Sequence, residues 1–345
     1  MKFGMIGSGS WATALTKILT DNHQTVNWWI RTESVYRHIN ARHHNPNYLS
    51  SVYFDPAHVS LHRDLNSVVQ ESDVILIGIP SAFVQTTLQG LTPDALVGKK
   101  IISAVKGMLP ESNQLLNDYL KQHFNFNLPD YFTLMGPCHA EEVAAEKLSY
   151  LTFSGLSEEE TTKIAACFRT EYLNTVVNND IFGVQYAAVL KNIYALGAGI
   201  AHGLDYGDNF QSVLIANCAD EMAAFLRKVG IRNIEVGVHD APVDDKHKKS
   251  ANYAASVYLG DLLVTCYSLF SRNRTFGNML GKGYSLKSAQ MEMNMVAEGI
   301  NASKCIHVLN QEVQADMPIV DTVYRILWEG LPAAEGFKRI EETLV

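Results

Sequence analysis

A short apolar run at residues 2–6 ends in Gly7-Ser8-Gly9-Ser10-Trp11-Ala12, and a helical pattern follows at once. A GxGxxA turn in that position commits the chain to a strand–turn–helix unit. The first glycine makes the tight turn, the second lets a pyrophosphate approach the backbone, and the small third residue lets the helix pack close to the sheet. The new helix then presents free N–H groups and its positive dipole end to the phosphates. The alternative is a glycine turn that binds nothing, but its place between a first strand and a first helix favours dinucleotide binding.

The alternation continues from there. Residues 25–30, 73–79, 100–105 and 131–135 read as strands with amphipathic segments between most of them, and residues 59–61 add a short one. This βαβα pattern predicts an α/β fold, a Rossmann-type doubly wound parallel sheet. Residues 148–154 and 171–177 read as later, antiparallel additions. From Asp180 the pattern becomes helix after helix, so the reading is a dinucleotide-binding domain at 1–179 and an all-α substrate and catalytic domain at 180–345. A chain of 345 residues, 47% hydrophobic and 19% charged, suits two sizeable cores. Residues 239–256 are polar and read as a surface loop or insertion. The apolar stretch 181–200 is interrupted by Gln185, Lys191, Asn192 and glycines, which fits a buried helix and no membrane span.

A formal net charge of −8 gives no general attraction to nucleic acid, so an anionic substrate needs a local cluster of cations. The five cysteines are widely spaced with no CxxC pair, as expected of reduced thiols in the cytoplasm. The N-terminus carries no signal-peptide pattern. His43, His44 and the other histidines lack metal-ligand spacing, so no metal is expected.

Several residues stand out as chemistry. The second strand ends in Arg31, where an acid would select a ribose 2′-hydroxyl and an arginine accommodates a 2′-phosphate; stacking on adenine is the other reading. Lys191 is the single formally charged residue of 181–201, on a face with Val184, Ala188, Ala195 and Ala198. Burial and a neighbouring cation would both lower its pKa toward that of a general base, whereas a snorkelling or salt-bridged lysine would have no such task. Lys106 and the segment Gly136-Pro137-Cys138-His139-Ala140 follow strands of the parallel sheet, where such folds bind ligands. Ser271-Arg272-Asn273-Arg274-Thr275 concentrates two arginines, an amide and hydroxyls, which suits a phosphate; the alternative is a solvated basic turn. Asp261, beside Gly260, would orient a lysine or a substrate hydroxyl, or merely cap a helix.

The ordered set of these motifs resembles the NAD(P)-dependent glycerol-3-phosphate dehydrogenases. The match runs through Gly7 to Ala12, Lys106-Gly107, Gly136-Pro137 with Ala140 and Glu142, Gly183-Val184 and Leu190-Lys191-Asn192. It continues through Gly207-Asp208-Asn209, Gly260-Asp261-Leu262, Ser271 to Gly277 and Glu298-Gly299, and so covers nearly the whole chain. The resemblance implies hydride transfer between glycerol 3-phosphate and dihydroxyacetone phosphate with NAD or NADP, feeding glycerophospholipid synthesis. It implies Lys191 as proton acceptor, with Lys106 close to it and to the substrate, and Asp261 as a further catalytic residue. Lys106, Gly136, Cys138, Lys191, Asp261, Ser271, Arg272 and Asn273 would contact the substrate. Gly7, Gly9, Ser10, Trp11, Arg31, Lys106, Ala140, Arg272, Val296 and Glu298 would contact the dinucleotide. A possible homodimer is expected from the class. Three positions depart from the family. Cys138 replaces a small hydroxyl or amide residue, residues 254–259 replace a glycine-rich lead into Gly260, and Asn217 stands where an arginine is usual. The competing readings are a dehydrogenase of another hydroxy acid, which would not need the phosphate cluster, and an inactive dinucleotide sensor, which would not need Lys106, Lys191 and Asp261.

Overall fold

The computed structural model describes residues 1–231, 255–293 and 295–344. The polar stretch 239–256 lies outside the described residues except for the backbone of its last two. The chain divides into two compact units, Met1–Ile181 and Phe182–Val345.

The first unit alternates β1(Lys2–Ile6), α1(Ser10–Asp21), β2(Thr25–Trp29), α2(Glu33–Arg42), β3(Val59–His62), α3(Leu65–Gln70), β4(Val74–Ile77), α4(Val84–Leu88), β5(Lys100–Ser103), α5(Leu116–His123), β6(Tyr131–Met135), α6(Ala140–Ala144), β7(Ser149–Ser154), α7(Glu158–Ala166) and β8(Leu173–Asn178). The eight strands form one sheet in the order β3-β2-β1-β4-β5-β6-β7-β8. β1 pairs in parallel with both β2 and β4, placing Ile6 beside Trp29 and Ile77. Strand order reverses at β1, so the crevice beyond its C-terminal end is where an open sheet of this kind receives a ligand.

The strands read as unbroken apolar runs because both faces are covered. Phe3, Met5, Trp28 and Leu76 pack on one side, and Ile6, Ile75, Ile77 and Ile101 on the other. The expected Rossmann-type sheet is present. Its strands end earlier than the apolar runs: β4 stops at Ile77 and β5 at Ser103, where the chain turns away from the ladder. One of the two late strands also differs from expectation. β7 is antiparallel to β6, but β8 is parallel to β7, because α7 crosses over between them.

The second unit is helical: α8(Ile181–Gly203), α9(Asp208–Lys228), α10(Asp261–Tyr267), α11(Arg272–Gly281), α12(Leu286–Glu292), α13(Glu298–Val313), α14(Pro318–Trp328) and α15(Ala333–Thr343). α8 is its core: Val189, Leu190, Ile193, Ala195, Leu196 and Ile200 are fully buried. No helix among the described residues is long and apolar enough to cross a membrane. The long apolar stretch is therefore core, not span.

α8 and α11 touch backbone to backbone. A β-carbon on Gly199 would lie 2.1 Å from the Arg274 carbonyl oxygen, and one on Gly277 would lie 2.1 Å from that of Leu196. Any side chain there would force the helices apart. The contact sets the distance between the Lys191 helix and the helix that begins at Arg272.

Candidate active site

In the first unit the glycine turn separates two demands. Gly7 has φ +130°, and a β-carbon there would meet the Gly78 carbonyl oxygen at 2.7 Å. The protein's own backbone requires that glycine. A β-carbon on Gly9, by contrast, would meet nothing within 4 Å. The space over Gly9 is what a pyrophosphate lying on the backbone needs. Gly9 is the N-cap of α1, no side chain closes the first turn, and no acid sits there. The leading N–H groups are thus open to an anion. The Trp11 indole N–H is buried with no hydrogen-bond partner among the described residues. These residues fit a dinucleotide.

Two supports of this turn carry no motif signal. The Trp28 indole donates to the Gly7 carbonyl at 2.6 Å. The fully buried Asn45 donates to the Ser8 carbonyl at 3.0 Å and to Thr13 Oγ1 at 2.9 Å. Asn45 reaches the turn from a distant segment, so sequence spacing could not single it out.

Lys106 follows β5 and Gly136 follows β6, adjacent parallel strands. The Lys106 ammonium donates to the Gly136 carbonyl at 3.4 Å and lies 5.0 Å above the Trp11 ring. Trp11, Lys106 and Gly136 are thereby gathered at one end of the sheet. Cys138 is buried, and its thiol donates to the Tyr150 carbonyl at 3.2 Å. That bond directs the thiol at β7. Ala140 opens α6 and is buried. Arg31 lies just past β2, exposed.

In the second unit Lys191 and Asp261 are 4% and 1% exposed, and the lysine ammonium donates to Asp261 Oδ1. This carboxylate opposes the desolvation of the ammonium, a partner that sequence alone left open. Asp261 opens α10, but its carboxylate is spent on Lys191 instead of the helix end. Its Oδ2 is buried with no hydrogen-bond partner among the described residues. An unsatisfied carboxylate oxygen beside a buried lysine is costly unless a ligand completes it. The neighbouring Cys266 thiol is pushed up to about 12 by burial, so it stays protonated and inert.

Around this pair the phosphate-type cluster is organised by amides. Asn273 Nδ2 donates to Asn192 Oδ1 at 2.8 Å, and Asn273 Oδ1 accepts the Gly299 N–H at 3.0 Å. Asn192 also donates to the Ala188 carbonyl at 2.9 Å. The chain Asn192–Asn273–Gly299 ties α8, α11 and α13 together next to Lys191. Asn192, beside Lys191 in sequence, takes its role from Asn273, which comes from another helix. Ser271 caps α11 by accepting the Arg274 N–H at 3.3 Å. Arg272 Nη1 donates to the Val296 carbonyl at 3.0 Å, and Glu298 is buried at the start of α13. The proposed residues therefore fall into two groups, one in each unit. Among the described residues, no group of three or more His, Cys, Asp or Glu is arranged to hold a metal ion.

A Rossmann-type sheet with an open glycine turn, followed by a helical unit carrying a buried lysine–carboxylate pair, defines the class: dinucleotide-dependent dehydrogenases. Comparison with known proteins gives the particular family. Residues 2–161 match the model of the NAD-dependent glycerol-3-phosphate dehydrogenase N-terminus, and residues 180–338 match that of its C-terminus. A glycerol-3-phosphate dehydrogenase [NAD(P)+] of Bacillus anthracis is 32% identical over 330 residues, 95% of this chain and 92% of that protein. The crystal structure of glycerol-3-phosphate dehydrogenase from Coxiella burnetii superposes with a TM-score of 0.87 at 26% identity, covering 99% of this chain and 98% of that one. The yeast enzyme GPD1, at 23% identity and TM-score 0.77 over 99% of each chain, shares the fold. The chain belongs to the NAD-dependent glycerol-3-phosphate dehydrogenase family.

Proposed function

We propose that this chain interconverts sn-glycerol 3-phosphate and dihydroxyacetone phosphate, with NAD or NADP as the redox partner. The observation that carries the residue assignment is the buried Lys191–Asp261 pair with its unsatisfied Oδ2, in the same unit as the Ser271–Arg274 cluster. The nicotinamide, when bound, takes up or releases the hydride at C2 of the substrate. Lys191 exchanges the C2 hydroxyl proton, accepting it as the neutral amine in oxidation and donating it from the ammonium in reduction. Asp261 holds the Lys191 ammonium through Oδ1 and offers Oδ2 to a substrate hydroxyl. Arg272 and Ser271 bind the phosphate, Arg272 with the planar fork that phosphate geometry favours. Asn273, both of whose amide ends are engaged within the protein, orients that cluster. In the other unit, Gly7, Gly9, Ser10, Trp11, Arg31, Lys106 and Ala140 serve the dinucleotide, with Lys106 and Gly136 bordering the substrate. Cys138 contributes its backbone, because its thiol is turned to Tyr150.

Five cysteines, none of them in a disulfide, support a reducing compartment, which we take to be the cytoplasm. The product glycerol 3-phosphate would supply glycerophospholipid synthesis. We take the active form to be a homodimer, in keeping with the exposed apolar residues Val213, Leu263 and Phe270 of the helical unit; sedimentation of the purified protein tests this. The activity is tested by following reduced-nicotinamide absorbance with dihydroxyacetone phosphate. Saturable turnover is expected. Dinucleotide binding without turnover of this substrate would overturn the assignment.

A further inference from the structure

The corner where β2 ends and α2 begins holds an arrangement of charge that sequence spacing does not disclose. Glu33, the first residue of α2, places its carboxylate between two guanidinium groups. Arg37 Nε reaches one oxygen at 2.7 Å and Arg63 Nε the other at 3.1 Å. Arg63 lies just past β3, and its Nη1 also donates to the carbonyls of Ile30, at 3.1 Å, and Arg31. The Trp29 indole donates to the Arg63 carbonyl at 3.2 Å.

The two contacts to Glu33 differ in kind. The Glu33–Arg37 pair is an exposed i,i+4 pair on one helix, worth little by itself. Arg63 is instead anchored to two backbone carbonyls at the end of β2. It therefore cannot release Glu33 by a simple rotamer change, and it also fixes the backbone from which the Arg31 side chain springs. Rim electrostatics of this kind act on selectivity more than on stability.

The position gives the arrangement its meaning. An acid after the second strand of such a sheet binds the ribose hydroxyls and repels a 2′-phosphate. Here the first acid after β2 is Glu33, two residues past Arg31. With both its oxygens engaged by arginines, it is withdrawn from that duty, and the corner keeps a positive balance. We propose that Arg63 is a positioning residue for cofactor choice: it holds Glu33 out of the ribose site and sets Arg31, so that a 2′-phosphorylated dinucleotide is admitted. The proposal rests on the dehydrogenase reading above.

The test compares kcat/KM for NADPH and NADH, with dihydroxyacetone phosphate, in Arg63→Met, Arg63→Lys, Glu33→Gln and the Arg63→Met/Glu33→Gln double variant. Arg63→Met should lower the NADPH/NADH ratio about 10-fold through the KM for NADPH, and less as salt is added, since exposed charges are screened. Arg63→Lys, which keeps the charge and loses the fork, should lower it part of the way. Glu33→Gln should raise the ratio, and the double variant should regain much of the loss, the remainder being the share due to Arg31. A double variant that keeps the full loss would mean that Arg63 touches the phosphate directly. Equal losses for both cofactors would mean a merely structural arginine. Either result, or an unchanged ratio throughout, overturns the proposal. Fluorescence titration of both dinucleotides separates this from failure of the dehydrogenase reading, in which neither would bind the original protein.

Discussion

Substituting Asp261 by asparagine separates what the Lys191–Asp261 pair does for the fold from what it does for the reaction. The two side chains are 5% and 2% exposed. Removing one charge from such a pair strands the other in the interior, at a cost of about 3–5 kcal/mol. Total domain stability is about 5–15 kcal/mol, so the loss is a large share of it. Replacing both residues by apolar ones of similar size, Lys191→Met with Asp261→Leu, removes the desolvation problem together with the attraction and should be near neutral. Urea unfolding should show each single variant destabilised by several kcal/mol and the double variant recovered to near the original midpoint. That coupling far exceeds the roughly 0.3–0.5 kcal/mol scatter of independent sites. Turnover should behave differently. All four variants, Asp261→Asn, Lys191→Met, Asp261→Leu and the double, should lose about 100-fold or more in kcat, because none retains the lysine–carboxylate pair. Stability without activity in the double variant is the signature. Additive destabilisation, or an Asp261→Asn protein as stable as the original, would refute the reasoning.

Three further outcomes follow from other parts of the molecule. Glu221 accepts the Ile319 and Val320 N–H groups at 2.8 and 3.1 Å at the start of α14, and burial pushes its carboxyl from 4.5 up to about 8. Between pH 5 and 8 the unfolded chain loses this proton and the folded chain keeps it, so stability falls as pH rises through that window, by up to ~4 kcal/mol; Glu221→Gln should abolish this part of the slope, and parallel stability–pH curves would contradict it. Gly277→Ala gains about 1 kcal/mol of helix propensity but drives a methyl to 2.1 Å from the Leu196 carbonyl oxygen, at a cost of about 3 kcal/mol or more, so the melting temperature should fall. Arg272→Ala should raise the substrate KM severely, and Arg272→Lys should rescue only part, because a lysine lacks the planar fork; unchanged kinetics in both would return the phosphate to another residue.

The local rules of the chain were sufficient for the sheet and the glycine turn. Gly7 to Ala12 between an apolar run and a helix, and the βα alternation after it, are short-range patterns that backbone sterics and burial read in one way. The helical character of the second half and the buried fate of the stretch around Lys191 were legible for the same reason. The family was legible too, because its motifs come in order along nearly the whole chain. What lay beyond the sequence were the partners of polar groups, since these come from residues far apart in the chain. Lys191 stood out by its solitude, but Asp261 as its partner is seventy residues away. Asn192 reaches Asn273, Asn45 steadies the turn at Ser8, and Arg63 grips Glu33 across two strands. Each contact depends on how elements pack, on backbone contacts as close as that of α8 with α11, and no periodicity along the chain encodes it. Composition and pattern determined which elements form and what faces they bury; only the tertiary structure decided which charge meets which, because pairing energies are set by distance and burial in space.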